Sequence, residues 1–121
     1  MGPYVDQLYT SLLTIIQSAK CPASVVENAA VALGRLGLSS CEELAPYLAQ
    51  FAYPFLDALA KVVETDEKDT ALKGFCMVVG RNPGDMEACL VPFFRCIANY
   101  RFPSPELKDL FRQVSTLPPL L

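Results

Sequence analysis

The side chains with reactive potential are five thiols and a few paired acids, and their spacing decides what they can do. Cys21, Cys41, Cys76, Cys89 and Cys96 are odd in number and include no CxxC pair. Three of them fall inside apolar helical patterns, where a thiol acts as a small hydrophobe. Reduced, buried thiols of an intracellular protein are the expectation. With no histidine, and no cysteines at zinc-ligand spacing, neither a metal site nor another cofactor is expected.

Glu42-Glu43 and Asp66-Glu67 are adjacent acids, but both stand at predicted helix starts, where carboxylates favour the helix dipole. Gly34-Arg35-Leu36-Gly37 and Gly80-Arg81-Asn82-Pro83-Gly84 are not phosphate loops. Each follows a helix, whereas a phosphate loop precedes one and offers its N–H groups to the anion. No Ser or Cys has a base partner in a recognisable motif. An enzyme is not expected; the remaining chemistry is that of recognition.

Bulk properties narrow the partner. The 121 residues carry a net charge of −3, so no broad basic face exists for nucleic acid. No apolar run reaches the ~18 residues of a membrane span, and the N-terminus lacks the layout of a signal peptide. Hydrophobic residues make up 52% of the chain, and its ten prolines are spaced rather than clustered, which argues for a packed domain.

The elements that must position any site are helices. Apolar residues recur at helical spacing over about 4–18, 24–36, 41–63, 66–79, 85–100 and 105–116. Ser24 with Glu27, and Ser40 with Glu43, have capping-box spacing. Gly37 suits a left-handed helix stop. Pro54 is expected to kink or split the third helix, whose second part carries Phe51, Phe55, Ala58, Leu59, Val62 and Val63. Gly74 in mid-helix costs about 1 kcal/mol against alanine and predicts a close helix crossing. Pro92 reads as a second mid-helix proline, Ser104-Pro105 as an N-cap with proline at N1, and Pro118-Pro119 as the final stop. The predicted class is all-α.

The helices repeat. An offset of 41 pairs Ala30 with Ala71 and Val31 with Leu72. An offset of 38 pairs Pro54-Phe55 with Pro92-Phe93. A period near 40 fits a HEAT-type α-solenoid, here a fragment of about six antiparallel helices in one segment, 1–121. Neither end reads as a polar cap, so self-association through the uncapped ends is expected.

The residues Pro3-Tyr4-Val5 and Val25-Val26-Glu27-Asn28-Ala29-Ala30-Val31-Ala32-Leu33-Gly34-Arg35-Leu36-Gly37 resemble the C-terminal HEAT repeats of the transportin-type karyopherin-β nuclear import receptors. Glu43-Leu44-Ala45-Pro46, Gln50-Phe51 with Pro54, Glu67-Lys68-Asp69, Gly74 with Cys76, and Asn82-Pro83 continue the match in order, and it loosens after Tyr100. The resemblance implies a receptor that shuttles between cytoplasm and nucleus. Its cargo would carry a proline–tyrosine-type localisation signal, released by Ran bound to GTP. Ran, the nucleoporins and the proline–tyrosine pocket would engage parts of the parent chain not present here. This piece would be scaffold and the edge of the cargo groove.

Four positions are candidate cargo contacts. The resemblance places Pro22 and Val31 against the signal's hydrophobic part, while the residue pattern alone reads Val31 as core and Pro22 as a helix stop. Asp6 and Asp57 lie on the polar face of the second helices with Gln7, Lys61, Arg95 and Asn99, where acids would attract a basic signal; an ordinary solvated face is the plainer reading. The alternative to a transport receptor is a structural HEAT scaffold of another assembly.

Overall fold

The computed structural model describes residues 2–117, and the side chains from Tyr4 onward. The helices are α1 (Gly2–Ile16), α2 (Ala23–Leu44), α3 (Leu48–Leu59), α4 (Asp66–Arg81), α5 (Leu90–Asn99) and α6 (Pro105–Ser115). Short 3-10 segments, Ala45–Tyr47 and Pro83–Cys89, precede α3 and α5. Among the described residues there is no strand. The expected Pro118-Pro119 stop lies outside them.

The helices form two ladders. The first helices α2, α4 and α6 pack in sequence, with α2 on α4 the most extensive contact of the molecule, and the second helices α1, α3 and α5 stack in the same order beside them. This is a HEAT-type arrangement, in which each pair meets its neighbours along one axis.

The central crossing is made of backbone. A Cβ placed on Gly74 would stand 1.8 Å from the Gly34 carbonyl oxygen, and one on Gly37 would stand 2.6 Å from the Gly74 oxygen. A Cβ on Gly34 would lie 2.5 Å from the Ala71 oxygen. The close crossing read from Gly74 is therefore present. The same contact corrects the reading of Gly37 as a helix stop. Gly37 is buried inside α2, and its small size admits α4.

α2 continues to Leu44, with a break at Ser40 (φ −134, ψ 34). Its counterpart is Asn82 (φ −151, ψ 59) after α4. Tyr47 (φ −99, ψ 3) and Cys89 (φ −124, ψ 19) then precede the second helices. Each pair is 42 residues apart, so the second helices repeat at 42 rather than 38. Phe51 and Phe93, both buried, are equivalent positions, and the two prolines are not. Pro54 sits inside a continuous α3, whereas Pro92 is in the first turn of α5, where a missing N–H costs no helical bond. The interruption expected at Pro54 falls instead at the 3-10 turn containing Pro46.

Neither capping box forms. α2 opens one residue before Ser24, on Pro22, whose carbonyl accepts from the Val25 and Val26 N–H groups. Ser40 Oγ and Glu43 Oε2 are buried without hydrogen-bond partners. Ser104 does cap α6, its hydroxyl accepting from Leu107 N–H, and Thr65 caps α4 in the same way through Lys68 N–H. α3 stops at Leu59, short of the expected 63, and Val63 is 77% exposed.

A string of rings ties the ladders together. Tyr9 stacks on Tyr47 at 4.9 Å and meets Phe51 edge-on, Phe51 and Phe55 meet Phe75, and Phe75 reaches Phe93 at 5.6 Å. Such pairs contribute roughly 0.5–1.5 kcal/mol each beyond burial. Tyr9 donates its hydroxyl to Gln50 Oε1; burial first, then Tyr47, pushes its pKa up to about 12. All five cysteines are free, with Cys41, Cys76 and Cys89 buried, and burial pushes the Cys76 thiol up.

Two alanine substitutions should move stability in opposite directions. Gly74→Ala gains about 1 kcal/mol of helix propensity but forces two backbones apart, an overpacking cost of about 1–3 kcal/mol or more. Urea unfolding should therefore show a net loss of about 2 kcal/mol. Gly80 is also helical and has nothing within 4 Å of its Cβ position, so Gly80→Ala should raise stability by up to about 1 kcal/mol.

Candidate docking face

The second-helix ladder does not close over itself. A groove of about 680 Å³ separates α3 from α5, lined by Tyr53, Asp57, Pro92, Arg95, Asn99 and Phe102 among others. A second, of about 390 Å³, lies between α3 and the end of α1 with the start of α2, and includes Ile16, Glu27, Asp57 and Lys61. Tyr53 and Asp57, one turn apart on α3, line both. Tyr53 is 58% and Phe102 83% exposed.

The polar residues predicted for this face are partly brought together. Asp57, Lys61, Arg95 and Asn99 all line the grooves beside α3. Asp6 does not; it stands on α1, where its carboxylate accepts from the Tyr47 hydroxyl at 3.3 Å. Pro22 is exposed at the N-cap position of α2. Val31 is 8% exposed and packs in the core, which agrees with the residue pattern and leaves little of its side chain for a cargo contact. The four candidate contacts thus do not form one site.

The wall of the larger groove is held by residues of the charged stretch 64–69 that leads into α4. Glu64 accepts the N–H groups of Arg101 (3.0 Å) and Phe102 (3.1 Å), one on each carboxylate oxygen. Those two hydrogen bonds, the Arg101 contribution first, hold the Glu64 carboxyl below the usual range. Asp69, nearly buried, accepts the Ser104 N–H at 2.8 Å and the Ser104 hydroxyl at 2.6 Å. Lys68 is also buried, donates to the Val62 carbonyl at 2.8 Å and lies over the Tyr100 ring. Burial, then Asp69 and Glu64, raises the pKa of Tyr100. Together these acids fix the segment 100–104, and with it Phe102, against α4. The missed signal was the pairing of Ser104 with an acid 35 residues earlier.

Among the described residues, no group of three or more His, Cys, Asp or Glu is placed to hold a metal ion, and no helix is long and apolar enough to cross a membrane. What the arrangement offers is two open grooves along α3. By fold, the protein is an α-solenoid segment with those grooves on its second helices.

Comparison with known proteins narrows the class. No family profile matches the chain. Over 94% of its length it is 38% identical to importin subunit beta-2 of Schizosaccharomyces pombe. The same share is 32% identical to transportin-1 of human and mouse. The chain therefore belongs, as a segment, to the importin beta-2/transportin family, whose members are HEAT-repeat solenoids. It spans only 12–13% of the length of those relatives.

The acid clamp predicts a pH dependence with a definite sign. A carboxyl whose folded pKa is depressed stabilises above its unfolded value, near 4.5 for Glu64, and that contribution disappears as pH falls through the folded value. Stability should therefore drop on acidification below about pH 4.5, and Glu64→Gln should flatten part of that drop in unfolding curves recorded across pH. At neutral pH, Asp69→Ala should cost about 2–3 kcal/mol in urea unfolding, because two charge-assisted hydrogen bonds are lost and the Ser104 donors are left unpaired.

Proposed function

We propose that the chain is a segment of a nuclear transport receptor, and that the face of α3 carrying Tyr53 and Asp57 is the edge of its cargo surface. The observation carrying this reading is the pair of grooves flanking α3, both lined by those two residues, in a chain whose relatives are importin beta-2 and transportin-1. An extended signal would cross α3, resting apolar side chains on Tyr53 and placing a basic side chain near Asp57. Aromatic anchors of this kind dominate peptide docking, and rim charges tune it. Proline–tyrosine-type signals are the cargo class, with release by Ran-GTP and pore passage through nucleoporins supplied by the rest of the parent. The parent shuttles between cytoplasm and nucleus. Pro22 and Asp6 are peripheral contacts in this reading.

The test uses the parent receptor and a fluorescent proline–tyrosine signal peptide. Tyr53→Ala and Asp57→Lys together should weaken binding about tenfold, equivalent to about 1.4 kcal/mol, and Ran-GTP should displace the peptide. Unchanged affinity in the double variant sinks the α3 edge. Indifference of the parent to both signal and Ran-GTP sinks the transport reading in favour of a structural scaffold.

A further inference from the structure

Ser104-Pro105 is the only Ser-Pro or Thr-Pro dipeptide in the sequence, and the fold gives it a particular setting. It lies in the non-helical stretch between α5 and α6, with Tyr100 extended (φ −79, ψ 116) and Ser104 near polyproline geometry (φ −62, ψ 159). Ser104 is half-buried and lines a surface groove of about 460 Å³. Its hydroxyl does two jobs. It donates to Asp69 on α4 and accepts from Leu107 N–H at the start of α6, so one oxygen joins the two helices.

We propose that Ser104 is a phosphorylation site for a proline-directed serine/threonine protein kinase, and that the phosphate releases α6 from α4. The γ-phosphoryl of ATP is transferred to Ser104 Oγ: the bond to the ADP leaving group breaks, the Oγ–P bond forms, and the hydroxyl proton passes to the kinase base. Two consequences follow at once. The hydroxyl donor to Asp69 disappears, leaving the Ser104 N–H as the one remaining Ser104 donor to that carboxylate, and a group of about −2 charge takes the hydroxyl's place. It would enter a groove already lined by Glu64, Asp66, Asp69 and Glu106. The cation there is Lys73, 3.8 Å from Asp69 and 3.7 Å from Glu106, and so shared already.

A phosphate at an N-cap favours the helix that follows it, so the repulsion acts on docking rather than on the cap. An 11-residue helix is marginal alone in water, however, and α6 depends on burying Leu107, Phe111 and Val114. Leu107 is fully buried three residues after the acceptor. The kinase therefore reads the locally opened segment, and the phosphate then holds it open.

The experiment treats the 121-residue chain with a purified mitogen-activated-type kinase and ATP, maps phosphate by mass spectrometry, and follows amide hydrogen exchange in 105–115. A linear peptide covering 98–110 is run beside it. Phosphate is expected on Ser104 in both, and absent from the chain carrying Ser104→Ala. Exchange in α6 should quicken at least tenfold on phosphorylation, and Asp69→Asn should reduce that acceleration at least threefold. Failure to modify Ser104 in the chain or in the peptide overturns the proposal. So does a phosphorylated chain whose α6 exchanges as before, or an acceleration unaffected by Asp69→Asn.

Discussion

The contact of two helix backbones at Gly34, Gly37, Ala71 and Gly74 is the constraint on which the remaining packing depends. Where two helices meet without side chains between them, their axes approach as closely as helices can, and neither can slide without a clash. That fixes α4 against α2. The rings of Phe51, Phe55 and Phe75 then fill the space this crossing leaves toward the second ladder. Residues there are buried because α2 and α4 are already placed, and the aromatic string transmits that placement outward to Tyr9 and Phe93.

The second ladder has no such contact. α3 and α5 are held through the core beneath them and by the acid clamp on 100–104, and the gap between them remains as a groove. The exposed rings of Tyr53 and Phe102 are therefore a consequence of the packing scheme. One ladder is tight, and the other leaves surface available to a partner. Charges of both signs line the larger groove, with Asp57 and Glu64 facing Lys68, Arg95 and Arg101.

Helical periodicity made the class and the repeat legible, because burial on a 3.6-residue period leaves its mark on every helix. What stayed hidden was decided by partners distant in sequence. Gly37 is ambiguous locally, since a helix stop and a helix crossing both call for glycine, and Gly74, which settles the matter, is 37 residues away. Prolines were poor register marks: Pro54 and Pro92 occupy different turns of their helices, so aligning them shifted the second helices by a full helical turn. Asp69 stands in the first turn of α4 yet is nearly buried, because Ser104 reaches it from 35 residues away. Asp57 was legible as a surface acid because it needs no distant partner, and the residue pattern's reading of Val31 as core agrees with its burial among α2's neighbours.

The unequal closeness of the two ladders has a mechanical meaning. In a bent beam, one line keeps its length while material on either side stretches or shortens. Here the glycine crossing resists both, so that line runs through the first helices. The gaps beside α3 are where length can change. Bending a chain of such units about that line would narrow or widen those gaps, and a segment lodged there would oppose the bend. Occupancy of the face and shape of the array are then one mechanical variable.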